Sequence, residues 1–183
     1  GDEVISCPFT FFATAEACMY IGAKPVFVDA DEETMNIDPS LIEKAITPKT
    51  KAILPIHIFG NPANMPVITE IANKHGLQVL EDCAQSIGAT INGKMTGTYG
   101  SNNPAGSAGT ISFYPTKNLG AYGDAGMVVT NDDNVAELCR LYRAHGSAQR
   151  YHNDLIGYNS RLDDIQAAVL NVKMEHLDRF NAE

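Results

Sequence analysis

Two hydrophobic periods alternate along the chain: short apolar runs, and longer stretches with helical spacing. "EVISC" at 3–7 predicts a strand. "TFFATAEACMYIGA" at 10–23 predicts a helix, with Thr10 as N-cap and Gly22 as stop. "KPVFVDA" at 24–30 is the second strand, and "DPSLIEKAI" at 38–46 opens a helix with Asp38 as cap and Pro39 in its first turn. "TKAILPIHIFG" at 50–60 is an apolar strand; Pro55 has no N–H to give a ladder and predicts an edge or an irregularity there. "NMPVITEIANKHG" at 64–76 is a helix stopping at Gly76, and "LQVLEDC" at 77–83 the next strand.

The rhythm then changes. "TINGKMTG" at 90–97 carries an Asn92-Gly93 hairpin turn, and 97–109 is a loop of small and polar residues. "TISFYPT" at 110–116 and "AGMVVTN" at 125–131 are two further strands. "DDNVAELCRLYRAHG" is a capped helix with Val135, Leu138, Cys139 and Tyr142 at helical spacing. "RLDDIQAAVLNVKMEHLDRF" at 161–180 predicts one long helix, whose stripe of Ile165, Val169, Val172, Leu177 and Phe180 serves a core or an interface. Strands alternating with helices predict an α/β fold of three layers, a mostly parallel sheet covered on both faces, in a single domain over 1–183.

Composition narrows the function classes. The 183 residues are 44% hydrophobic and 19% charged, which excludes a disordered chain. A net charge of −9 without a basic run argues against nucleic acid and anionic membranes as partners. No run is long enough to span a membrane, and "GDEVISCPF" lacks the features of a signal peptide. Cys7, Cys18, Cys83 and Cys139 form no zinc-binding pattern, so no metal is expected. Buried free thiols fit a reducing, cytoplasmic setting.

In open α/β sheets, ligands bind beyond the carboxyl ends of the strands. Glu81 and Asp82 follow "LQVL", and Lys117 follows "TISFYPT". Taken alone, Asp82 reads as a cap for "CAQSIGA" and Lys117 as a solvated lysine. The setting of Lys117 points the other way: Phe113 and Tyr114 precede it, and Pro115 and Gly120 frame a tight turn. A positioned, desolvated lysine has a lowered pKa, as a Schiff-base lysine requires. Pyridoxal phosphate (PLP) also asks for a carboxylate at its ring nitrogen, an aromatic face and phosphate ligands, which Asp82, Phe11 and Ser112 could supply.

The segments "GDEVI", "TFFAT", "GAKPVFVD", "KAILPIHIFGNPANM", "HGLQVLEDCAQSIGA", "SFYPTKNLGAYGDAGMVVTND" and "GYNSRLDDIQAAVL" resemble the DegT/StrS nucleotide-sugar aminotransferases, PLP enzymes of the aspartate aminotransferase fold type. The resemblance implies that Lys117 holds the cofactor and shuttles the proton, with Asp82 at the pyridine nitrogen and Gln85 near the ring hydroxyl. It further implies Ser112 on the phosphate, Phe11 stacked on the ring, and Asn159 reaching the phosphate of a second subunit across a homodimer interface. Arg161 is either structural or faces substrate. The implied reaction moves an amino group from an amino acid, with glutamate the expected donor, to a nucleotide-linked keto sugar. A lysine rather than a histidine at 117 separates transamination from the family's sugar dehydratases.

The resemblance covers the central part of the family's large domain. The family's Gly-Thr phosphate motif lies upstream of "GDEVI", and its small C-terminal domain follows the long helix. The chain is therefore expected to be truncated at both ends and to bind PLP weakly alone. Its 97–109 loop is longer than the family's and is expected to bulge into solvent. A non-catalytic binding or oligomerising module is the alternative function; a dinucleotide-binding domain is disfavoured because "GAYGDAG" leads into a strand.

Overall fold

The computed structural model describes residues 1–102, 107–149 and 151–183. Its strands are β1 (Glu3–Ser6), β2 (Lys24–Phe27), β3 (Thr50–Leu54), β4 (Gln78–Asp82), β5 (Thr90–Ile91), β6 (Lys94–Met95), β7 (Ser107–Ser112) and β8 (Gly126–Val129). Its α-helices are α1 (Phe12–Tyr20), α2 (Pro39–Ala45), α3 (Met65–His75), α4 (Asp133–Tyr142), α5 (Asp164–Met174) and α6 (Leu177–Ala182). Six strands form one sheet in the order β2-β1-β3-β4-β7-β8, and β5 and β6 form the expected hairpin. Every neighbour pair from β2 to β7 is parallel; only the edge strand β8 runs antiparallel. Parallel neighbours need crossovers, and α1, α2 and α3 supply the first three. Between β4 and β7, among the described residues, the hairpin and a short 3-10 turn at Tyr99–Asn102 take the place of an α-helix.

Two apolar clusters hold these layers. The first joins Ile5, Ile53 and Val79 of the strands to Cys18, Ile42 and Ile68 of α1, α2 and α3. The second is smaller and packs Phe113, Leu119 and Ala121 against Leu170 of α5 and Leu177 of α6. Burying one large aliphatic side chain stabilises by about 1.5–3 kcal/mol, so even the small cluster fixes the backbone it contains. That backbone is the segment around Lys117.

Several expectations change. Thr10 does not cap α1; Phe11 holds the N-cap position with no side-chain bond, and the Thr10 hydroxyl pairs with that of Thr14 at 2.9 Å. Pro55 marks an irregularity in a central strand, not an edge: β3 stops at Leu54, and contact with β4 resumes in one bridge between Ile56 and Asp82. β7 starts at Ser107, three residues before the expected Thr110. The long helix is two, because His176 leaves helical geometry (φ −111°, ψ 2°) and turns Leu177 into the second cluster. Of the stripe on these helices, Ile165 and Val172 are exposed, while Leu170, outside the stripe, is buried. No residue of α4 is buried. Cys7, Cys18 and Cys83 are buried free thiols as expected, and Cys139 is half-buried. The loop expected to bulge begins pinned: the N–H groups of Gly97, Tyr99 and Gly100 all point to Glu81. Its residues 103–106 lie outside the described ones. Among the described residues, no helix is long and apolar enough to cross a membrane.

Candidate active site

Glu81 and Asp82 are neighbours on β4, so the strand's two-residue period sends their side chains to opposite faces. Glu81 is buried and fully committed. Its Oε2 accepts from Gly97 N (2.8 Å) and His57 Nε2 (3.1 Å), and its Oε1 from Tyr99 N (2.8 Å) and Gly100 N (3.4 Å). Because His57 Nδ1 accepts the Ala63 N–H at 3.0 Å, the ring proton sits on Nε2 and is donated to Glu81. Burial, with the Glu81 charge adding to it, pushes the Cys83 thiol up to about 12. The ligating atoms of His57, Glu81 and Cys83 lie within 4.8 Å of one another, yet both imidazole nitrogens and both carboxylate oxygens are already bonded within the protein. This cluster is a structural pin on the segment 97–100.

Asp82 is only half-buried and keeps capacity to spare. Its Oδ1 accepts the Ala84 N–H (3.1 Å), the local turn expected of a capping Asp. Its Oδ2 accepts the Thr14 hydroxyl of α1 (2.8 Å). Each oxygen retains a further lone pair for a ligand donor. Three residues on, Gln85 Oε1 accepts the Phe59 N–H at 2.9 Å, which leaves the amide N–H groups of Gln85 to face another acceptor. Phe59 supplies that N–H from a left-handed conformation (φ 56°), a strain on the order of 1 kcal/mol that marks a constrained position. The rings of Phe9 and Phe59 meet edge to face at 5.9 Å.

Thr110 of β7 lies opposite Asp82 in the sheet, so Ser112 stands two residues further along the neighbouring strand. The Ser112 Oγ accepts from Tyr114 N at 3.3 Å and has its O–H left to donate. The chain then turns tightly: Lys117 N bonds Tyr114 O, and Ala121 N bonds Phe113 O, each at 2.8 Å. Gly120 is required here, because an added Cβ would fall 2.4 Å from the Pro115 carbonyl oxygen. From α5, Lys173 Nζ donates to Gly120 O at 2.6 Å, and Gln166 Oε1 accepts from Tyr122 N at 2.7 Å. Lys117 itself is half-buried, and among the described residues its amine has no hydrogen-bond or ion-pair partner.

A cleft of about 550 Å³ brings Lys117 and Gln85 together, with Thr116, Asn118, Gly60 and Asn181 also in its wall. Asp82 and Ser112 stand at the adjacent strand ends and not in that wall. Phe11 is 79% exposed, one helical turn before the Thr14 that holds Asp82. Asn159 lies elsewhere: its backbone bridges to Ala144, and its Oδ1 accepts from Arg161 Nε at 3.3 Å, so the contact Arg161 makes here is with Asn159. Residues that sequence reasoning missed are Thr14, Phe59, Gln166, Lys173 and Asn181. Only Thr14 carried a sequence cue, its spacing of four from Thr10 on one helix face.

The model of the DegT/DnrJ/EryC1/StrS aminotransferase family matches residues 1–183. The chain is 57% identical over 183 residues to the pleiotropic regulatory protein of Geobacillus stearothermophilus, covering 100% of this chain and 48% of that protein. It is 54% identical over 181 residues to the UDP-N-acetyl-3-dehydro-alpha-D-glucosamine 3-aminotransferase of Acidithiobacillus ferrooxidans, covering 99% and 47%. Among solved structures it resembles S. venezuelae DesV in complex with a ketimine intermediate, with a TM-score of 0.91 and 47% identity, covering 97% of this chain and 46% of that one. It also resembles Bacillus subtilis NtdA with bound PMP, with a TM-score of 0.88 and 38% identity, covering 98% and 40%. The chain spans about half the length of the curated relatives it matches. Lys117 and Asp82 thus lie at strand ends of a sheet shared with known aminotransferases, and the chain belongs to the DegT/DnrJ/EryC1/StrS aminotransferase family.

Proposed function

We propose that the chain forms the cofactor-holding part of a PLP-dependent aminotransferase. In this reading an amino group passes from an amino acid, with glutamate the expected donor, to a keto sugar linked to a nucleotide. The observation that carries the reading is the amine of Lys117, unpartnered among the described residues, in a cleft shared with Gln85, beside the strand ends that bear Asp82 and Ser112. The groups left over after internal bonding are an amine, a carboxylate with spare lone pairs, an amide N–H pair and a hydroxyl. They fit, in kind, the aldehyde, ring nitrogen, ring hydroxyl and phosphate of PLP.

When bound, PLP supplies an electron sink that makes the Cα–H bond of an amino acid acidic. Lys117 would hold the cofactor through its aldehyde and would be the group that moves the proton at Cα. Asp82, steadied by Thr14 and the Ala84 N–H, holds a proton on the ring nitrogen. Gln85 donates to the ring hydroxyl from an amide that Phe59 fixes in one orientation. Ser112 donates to the phosphate, and the exposed ring of Phe11 covers the cofactor. Asn159, which is not in the wall of the Lys117 cleft, serves the phosphate of a second copy in a homodimer.

The relatives support the substrate class. Besides the 3-aminotransferase above, they include the dTDP-3-amino-3,4,6-trideoxy-alpha-D-glucose transaminase of Streptomyces venezuelae, 46% identical over 181 residues. The test is amino transfer from glutamate to UDP- and dTDP-linked 3-keto sugars, followed as 2-oxoglutarate release. The wild-type protein turns over at least one of them and Lys117→Ala does not. Turnover by Lys117→Ala at the wild-type rate would overturn the assignment of Lys117.

A further inference from the structure

Asn181 of α6 makes two bonds that join the two walls of the cleft. Its Oδ1 accepts from Asn118 Nδ2 at 2.7 Å, and Asn118 is the residue after Lys117. Its Nδ2 donates to the carbonyl of Ile87 at 2.9 Å, and Ile87 lies two residues after Gln85. The backbone makes room for it: Gly88 has φ +85°, and a Cβ there would fall 2.7 Å from Asn181 Nδ2. Leu177, one turn earlier on α6, is buried in the cluster that contains Leu119, so the helix that carries Asn181 and the turn that carries Lys117 share one core.

We infer that Asn181 is a positioning residue that sets the spacing between Lys117 and Gln85 across the cleft. Lys117 has no side-chain partner among the described residues, so the backbone of its turn decides where the amine stands. Gln85 is fixed by Phe59 on one side, and the segment after it by Asn181. The amide does both jobs, because its oxygen accepts from Asn118 while its nitrogen donates to Ile87. An aspartate of the same shape keeps the acceptor and loses the donor. It therefore separates the two arms.

The consequence for PLP rests on the function proposed above, but the bridge itself can be measured without PLP. Hydrogen exchange on the PLP-free protein reads the amides of Lys117 and Ala121 in one wall and of Ser86 and Ala89 in the other. Asn181→Ala should speed exchange in both walls about tenfold, the effect of losing ordinary hydrogen bonds, and leave the amides of β1 and β3 unchanged. Asn181→Asp should speed only Ser86 and Ala89. In double-mutant cycles, Asn118→Ala combined with Asn181→Ala should loosen the Lys117 turn no more than either change alone. Borohydride reduction with PLP present, scored by mass spectrometry, should then show about tenfold weaker labelling of Lys117 in Asn181→Ala. Equal loosening in the Ala and Asp variants, loosening spread through β1 and β3, or wild-type exchange in Asn181→Ala would overturn the inference. A wild-type protein whose Lys117 takes no label would refute the PLP reading instead, while the exchange pattern still decides the bridge.

Discussion

The ends of β4 and β7 are neighbours in one sheet, yet they are built on opposite plans. At the β4 end the backbone sits over the large core, and Glu81 spends all its acceptor capacity on His57 and three backbone N–H groups. At the β7 end the lysine turn rests on a small second core and on tethers from α5 and α6, and the amine it presents is bonded to nothing within the described residues. The two adjacent carboxylates show the same division. Glu81 is saturated and buried, whereas Asp82 is half-buried with lone pairs left. Polar groups that hold the fold are fully satisfied, and the polar groups that the proposed function assigns to the cofactor are held but left with capacity.

Glu81→Ala is the harshest test of this contrast. It strands three backbone N–H groups and the His57 N–H in a buried site, and should cost about 3–5 kcal/mol in urea unfolding. A cost below about 1 kcal/mol would show that Glu81 is not a pin. Leu119→Ala should cost about 2–4 kcal/mol, because Leu119 is fully buried, and its effect on hydrogen exchange should be greatest at Ala121. Equal loosening of β1 and β3 would mean that the two cores are one unit.

Alkaline pH probes the β4 end. The folded protein holds Cys83 up to about 12, above its ordinary value of 9.0, so the unfolded chain releases this proton first as pH rises. The stabilising contribution is complete below pH 9.0 and is lost as pH climbs toward about 12. The loss approaches about 1.4 kcal/mol per pH unit in that window. Cys83→Ala should flatten the decline in unfolding free energy between those values; an unchanged slope would contradict the burial argument. The mildest change is Lys173→Met, which removes the bond to Gly120 O. It should cost about 1 kcal/mol, seen as faster exchange in the Lys117 turn and not in β4.

Much of the fold was legible because parallel strands are buried on both faces and read as apolar runs, while Asp38, Asp132 and Gly76 mark helix ends by local chemistry. The break at His176 was not legible. The apolar spacing runs through it, and only the tertiary pull on Leu177 splits α5 from α6. The start of β7 was hidden for a related reason: Ser107, Ala108 and Gly109 have poor strand propensity and are drawn into the sheet by pairing with β4. At the site, Lys117 and Asp82 could be singled out by their place after apolar runs. The separate fates of Glu81 and Asp82 could not, since they depend on partners 16 to 68 residues away in sequence. Lys173 and Asn181 looked like ordinary polar positions on a surface helix, and their contacts to the lysine turn exist only once α5 and α6 are folded back onto it.

Under the function proposed above, the Lys117 amine, unpartnered among the described residues, is the cofactor's anchor. Incubation with stoichiometric PLP, borohydride reduction and peptide mapping test it most directly. A single pyridoxyl group on Lys117, lost in Lys117→Ala and weakened in Asp82→Asn, is the result expected. Label spread over the exposed lysines, with none on Lys117, would contradict it.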